Sequence, residues 1–237
     1  MRTHASAQLI GGRTHQCDAT ATYTHQGARA YVLLDGIGSS DEVRDWARTT
    51  ARRLARKAAM TDAETGLRSV HAVVAAERSC AAAWQIRHMP AAVAVVAVHT
   101  ADELNVAWCG DSRAYLQDTA TGGARRLTTD HNMRQVLLDL GREPGPYSRN
   151  QVLSYIGDTE ADPEIGTTTV PARGRLLLAS DGAYEPIEDA CLDVADFFLN
   201  GTPQTAARTL TAAAVDKATS RADNATALVA DLGPLHS

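Results

Sequence analysis

Two helix-start signatures stand back to back in this chain, and they constrain its fold more than any other feature. Ser39-Ser40-Asp41-Glu42 sets a hydroxyl three residues before an acid, and Thr61-Asp62-Ala63-Glu64 repeats the device. A long helical pattern follows each, the first toward Met60, the second through an alanine-rich stretch to about Arg87 with Gly66 as its weak point. Before the pair, Ala28 to Leu34 is an apolar run ending in Asp35-Gly36 that reads as a buried strand, with a shorter strand candidate around Ala7 to Ile10. After it, Ala91 to His99 (AAVAVVAVH), Leu104 to Cys109 and Ala114 to Gln117 are apolar runs at hairpin spacing, which predicts antiparallel strands. Leu127 to Ile156 reads as a helix running into an irregular excursion. Further strands are expected at Gly166 to Val170 and Arg175 to Ala179, helices near Ala190 to Leu199 and Pro203 to Ala218, and a last strand at Ala225 to Asp231. Strand clusters separated by helix pairs predict an α+β layered fold, in one domain over 1–237. Aromatic residues are only 5%, so Ala, Val, Leu and Ile must fill the core.

Composition removes several function classes. Hydrophobic residues at 44% and charged ones at 22% are ordinary globular usage, against disorder and coiled coil alike. The net charge of −5 argues against nucleic acid or an anionic membrane as partner. No apolar stretch approaches the roughly 18 residues of a membrane helix, and the N-terminus lacks a signal-peptide core, so a cytoplasmic location is expected. Cys17, Cys80, Cys109 and Cys191 show no paired spacing and read as reduced thiols. There is no nucleophile-elbow serine, no glycine-rich loop ending in Lys, no His-Glu-x-x-His, and no Cys followed by Arg at the spacing of a cysteine phosphatase loop.

What remains is a recurrence of aspartates. Asp35, Asp111, Asp181 and Asp223 sit at or beside the ends of apolar runs, in YVLLDG, AWCGDS, LLLASDG and RADNATALVA. Singly, an Asp-Gly is a turn dipeptide and an Asp beside a strand end is a cap. At Asp35 the chain continues into a capped helix rather than a second strand, so a hairpin turn does not explain it. Carboxylates brought to one strand edge must be solvated, paired or bound to a cation, and an all-oxygen set suits Mg²⁺ or Mn²⁺ better than zinc.

In order along the chain, these segments resemble the metal-dependent protein phosphatases of the type 2C or PPM family. Arg13 to Asp18 (RTHQCD) is similar to the family's opening Arg-x-x-Asn-Glu-Asp, and Asp35-Gly36-Ile37-Gly38 to its Asp-Gly-x-Gly. CGDSRAYL, LTTDH, LLLASDG and Asp223-Asn224-Ala225-Thr226 complete the set. The resemblance implies a central antiparallel β-sandwich flanked by helix pairs, with a dinuclear Mg²⁺ or Mn²⁺ centre at one end. It implies that Asp35 bridges two ions, that the Gly36 carbonyl ligates one, that Asp181 and Asp223 ligate the other, and that Asp111 serves a third. Arg13 then grips the substrate phosphate and Asp18 orients water, for hydrolysis of phosphoserine or phosphothreonine on a protein partner. The stretch from about 131 to 150 falls where the family carries a variable flap.

Departures accompany the likeness. Cys17 stands where the family usually has a metal-ligating Glu, which would trade a hard oxygen for a softer thiol. Gln16 replaces Asn, Ser39 replaces a Gly, Met89-Pro90-Ala91 replaces a Gly-Ser/Thr-Thr element, and Ile37 cannot supply the acid that some relatives place there as His. These leave open an inactive pseudophosphatase that binds a phosphoprotein, and a protein whose aspartates merely hold a structural ion. His15 and His131 read as surface or hydrogen-bonding residues. Arg48, Arg52, Arg53, Arg56 and Lys57 read as a solvated helix face, and Trp46 and Trp84 as core. Cys17 is also a candidate redox thiol.

Overall fold

The computed structural model describes residues 3–233 apart from 87, 159–162 and 220. Two five-stranded sheets, antiparallel throughout, face each other. The first runs β1 (His4–Leu9), β10 (Ala225–Leu232), β9 (Gly174–Ala179), β6 (Arg113–Gln117), β7 (Ala124–Arg126). The second runs β2 (Ala19–His25), β3 (Ala28–Ile37), β4 (Ala91–His99), β5 (Glu103–Cys109), β8 (Gly166–Pro171). Helices α1 (Asp41–Met60) and α2 (Ala63–Ser79) cover the second sheet. Helices α5 (Asp181–Asp189), α6 (Ala195–Phe198) and α7 (Pro203–Lys217) cover the first. Two short helices, α3 (Ala83–Ile86) and α4 (Met133–Asp139), lie in connections.

Side-chain alternation along the strands builds these layers. On β3, Tyr31 and Leu33 point between the sheets with Val95, Val106, Leu176 and Leu228, while Ala30, Val32 and Leu34 point outward to Ala51, Leu54, Ala58 and Leu67 of the helix pair. All nine residues of β4 are buried, which is why that run is apolar on both faces. The expected α+β sandwich flanked by helix pairs is therefore the architecture observed.

Several local expectations need correction. The N-caps are Ser40 and Asp62, whose side chains accept from Val43 N and Thr65 N, one residue later than the Ser39 and Thr61 signatures suggested. The second helix stops at Ser79, where Arg78 turns to donate to the carbonyls of Met89 and Pro90 and ties the chain back for entry to β4. The expected end near Arg87 lies outside the described residues, as does the Trp84 side chain; Trp46 packs half-buried on the core. No single helix covers Ala190 to Leu199, because α5 ends at Asp189 and Cys191 takes a positive φ of 57° that reverses the chain before the short α6. Asp-Gly and Pro186 disguised α5 in the sequence, yet Ala183, Tyr184 and Ile187 bury against the first sheet and override them.

Candidate active site

The aspartates meet at one end of the stacked sheets, each brought there by a strand end or turn. Asp35 continues the inward row of Tyr31 and Leu33 on β3. Asp181 is the first residue of α5, directly after β9, where a helix N-terminus favours an anion. Asp223 precedes β10, Asp111 lies between β5 and β6, and Asp18 precedes β2. An open cleft of about 460 Å³ is lined by Arg13, Asp35, Gly36, Asp111, Asp181 and Asp223 among others, with Asp18 buried beneath it. Every residue singled out for the site thus comes to one place. Gly182 permits the crossing of α5 over the last loop, since a Cβ there would lie 2.3 Å from the Asn224 carbonyl oxygen.

Electrostatically the cluster is strained in one direction. Burial pushes Asp18 and Asp111 up to about 7, with the charge of Asp181 adding to both. Asp35 rises well above the usual carboxylate range through burial and then the charge of Asp18, and Asp181 rises through burial and then the charge of Asp223. Arg13 hydrogen-bonds Asp223, which raises the arginine in turn. Farther along α5, burial and Asp181 push Glu185 up to about 8, although Arg149 stands 3.4 Å away.

This donor set fits a hard divalent cation. It is all oxygen, its members repel one another, and the buried Asp18 Oδ1 has no hydrogen-bond partner. Among the described residues no three such side chains are drawn into a closed cage. Cys17 packs beside Gly36 but does not itself line the cleft; its Sγ donates to the Ser40 carbonyl at 3.7 Å, and burial raises its pKa.

A set of partners that the sequence did not reveal fixes these loops. Ser180 Oγ donates to Asp18 Oδ2 at 3.0 Å. Asn224 accepts from Cys17 N at 2.7 Å and donates to the Ile10 carbonyl at 3.0 Å, joining the Arg13–Asp18 loop to the Asp223 loop. Arg113 and Asp130 form a buried bidentate pair at 2.9 and 2.7 Å, and the guanidinium lies 3.8 Å from the Tyr184 ring centroid. Tyr184 Oη donates to the Asp111 carbonyl at 2.9 Å. The likeness of CGDSRAYL and LTTDH to family motifs therefore reflects, in Arg113 and Asp130, a clamp behind Asp111. The signal available in the sequence was only that a charged pair occurred inside apolar runs. His15 hydrogen-bonds Thr14 at the surface, and His131 is buried, stacked on Trp108 with centroids 6.0 Å apart.

The sequence model of the family described as Protein phosphatase 2C matches residues 15–136, a span that takes in Asp18, Asp35 and Asp111. This chain belongs to the protein phosphatase 2C family. Its enzyme class is accordingly that of protein serine/threonine phosphatases. Among solved structures it is similar to PppA, described as a key regulatory component of T6SS in Pseudomonas aeruginosa, at TM-score 0.77 and 24% identity over 97% of each chain. It is similar also to the Mycobacterium tuberculosis serine/threonine phosphatase PstP/Ppp, at TM-score 0.76 and 23% identity over 97% of each chain. The catalytic domain of a serine/threonine phosphatase PstP in complex with two manganese ions matches at TM-score 0.68 and 22% identity, over 96% of each chain. At these identities the likeness shows the phosphatase 2C fold. No curated protein sequence matches the chain.

Proposed function

We propose that this phosphatase 2C protein hydrolyses phosphoserine and phosphothreonine esters of proteins in a reaction that requires Mg²⁺ or Mn²⁺, within one domain spanning 1–237. One observation carries the reading: acidic side chains that raise one another's pKa share an open cleft with the exposed Arg13, which hydrogen-bonds Asp223 among them. In this reading Asp35, the Gly36 carbonyl, Asp181 and Asp223 hold two ions and Asp111 a third. Bound there, such ions supply Lewis-acid stabilisation and a water ionisable near neutral pH.

The chain's own residues do the rest. Arg13 spends one of its N–H groups on Asp223 and keeps the others of its five for a phosphate at the cleft mouth. Asp18, fixed by Ser180 at one oxygen, keeps the other for a water it orients and whose proton it accepts. The openness of the cleft suits a side chain on a protein surface, and the segment 131–150 lends it Arg149 and Asn150 as one wall. The partner is a protein phosphorylated by a serine/threonine kinase. The compartment is the cytoplasm; no described helix is long and apolar enough to cross a membrane.

Release of phosphate from a phosphothreonine peptide, requiring added Mn²⁺ or Mg²⁺ and abolished by EDTA, tests this reading. Cys17 supports a second one, a phosphoprotein-binding pseudophosphatase, because a thiol that does not line the cleft stands where an acidic ligand is usual. Tight binding of the same peptide without turnover would favour it.

A further inference from the structure

The phosphatase reading leaves unused a basic strip along α1. Arg48, Arg52, Arg53, Arg56 and Lys57 are all exposed along the outer face of α1, in a chain whose net charge is −5. Their neutralisation is incomplete. Arg48 lies 4.0 Å from Asp45, which already pairs with Arg44, and Arg53 lies 3.8 Å from Glu77 of α2. Arg52, Arg56 and Lys57 have no carboxylate within 4.0 Å among the described residues. On the other flank, the exposed β2 residues Thr22, Tyr23 and Thr24 bring no acid, and Tyr23 holds the Arg56 guanidinium 5.8 Å from its ring centroid.

The strip begins beside the cleft. Ile37 and Gly38 line the cleft, and Ser40 caps α1 two residues later. At 1.5 Å per residue, Arg48, Arg52 and Arg56 stand roughly 10, 16 and 22 Å along the helix from Asp41. An extended peptide covers about 3.3 Å per residue, so a chain leaving the cleft along α1 passes these arginines about three to seven residues from its phosphorylated side chain.

We propose that this strip is a docking surface for an acidic segment of the phosphoprotein substrate, Asp- or Glu-rich and about three to seven residues from the phosphorylated residue. The proposal rests on the phosphatase reading for the position of the phosphate, and on charge complementarity for its occupant. Three unpaired cations, each contributing roughly a factor of two as an exposed pair, give a preference of about five- to tenfold at low salt, lost as added salt screens them.

The test compares phosphothreonine peptides that share the residues next to the phosphate and carry either four Asp/Glu or four Ser/Gln at positions three to seven, on either side. Wild type and Arg52→Glu/Arg56→Glu, both shown to be folded with equal Tm, are assayed for kcat/KM at 20 mM and 500 mM salt. We expect wild type to favour an acidic peptide five- to tenfold, mainly through KM and only at low salt. The variant loses that preference while its turnover of p-nitrophenyl phosphate and the neutral peptide stays unchanged. Equal kcat/KM for acidic and neutral peptides in wild type, or a preference that survives the double substitution, overturns the proposal. Should p-nitrophenyl phosphate itself not be turned over, the phosphatase reading fails separately. Fluorescence anisotropy of the acidic peptide on wild type and variant then decides the strip alone, equal binding refuting it.

Discussion

Asp130→Ala should be among the most destabilising single changes in this protein, although Asp130 holds neither substrate nor metal. Arg113 and Asp130 side chains are each 5% exposed. Two hydrogen bonds of 2.9 and 2.7 Å join them, Glu188 accepts a third at 2.7 Å, and the Tyr184 ring lies beneath the guanidinium. Removing one partner of a buried pair costs about 3–5 kcal/mol, because the other charge stays behind desolvated. Glu188 remains in Asp130→Ala, which points to the lower end, about 3 kcal/mol. For a chain of this length that lowers Tm by about 6–12 °C, out of a total stability of about 5–15 kcal/mol. Arg113→Met/Asp130→Leu removes both charges and should cost clearly less than the single change. Urea and thermal unfolding by circular dichroism, at pH 7 with EDTA, measure both. A Tm shift below about 2 °C for Asp130→Ala, or a double variant as unstable as the single one, would refute the idea that the pair is a structural clamp.

Asp111 is pushed up to about 7, mainly by burial; a carboxyl raised on folding stabilises the fold below its unfolded value of about 4 and loses that contribution as pH climbs through 7. Urea unfolding of metal-free protein should therefore show less loss of stability between pH 4 and 7 in Asp111→Asn than in wild type, and an unchanged slope contradicts this. Cys80 and Cys191 are exposed while Cys17 and Cys109 are buried, the latter pushed up to about 12. Mass spectrometry after brief iodoacetamide treatment of folded protein should find only the exposed pair alkylated. Gly110 has φ +93° and a Cβ there would stand 2.2 Å from Val93 Cγ1, so Gly110→Ala should lose about 1–3 kcal/mol in urea unfolding.

The layered fold was legible because its signals are periodic and local. Capping residues before α1 and α2 and the nine-residue apolar run of β4 each declare one element without reference to the rest. The half-exposed, threonine-rich edge strand β2 and the three-residue β7 carry too little periodicity to be seen. The helix α5 exists through tertiary burial that no local pattern encodes. At the site, Asp35, Asp111, Asp181 and Asp223 were legible because an acid recurs beside the ends of four apolar runs, and Asp18 and Arg13 only through the family resemblance. Their supports were not, since the meaning of Ser180, Asn224 and Tyr184 depends on partners 44 to 207 residues away. Cys17 shows the same limit from the other side: its place in a motif suggested a ligand, and only the fold shows that it does not line the cleft.

The most direct test of the central claim is hydrolysis of p-nitrophenyl phosphate and a phosphothreonine peptide by wild type and Asp181→Asn, both shown to be folded, in Mn²⁺, Mg²⁺ or EDTA. Asp181 is the ligand candidate whose side chain also meets Asp35 and feels Asp223. The account predicts turnover by wild type that requires an added divalent ion and falls by at least about 100-fold in Asp181→Asn. Turnover that persists in EDTA or in Asp181→Asn, or none by metal-loaded wild type on either substrate, would contradict it.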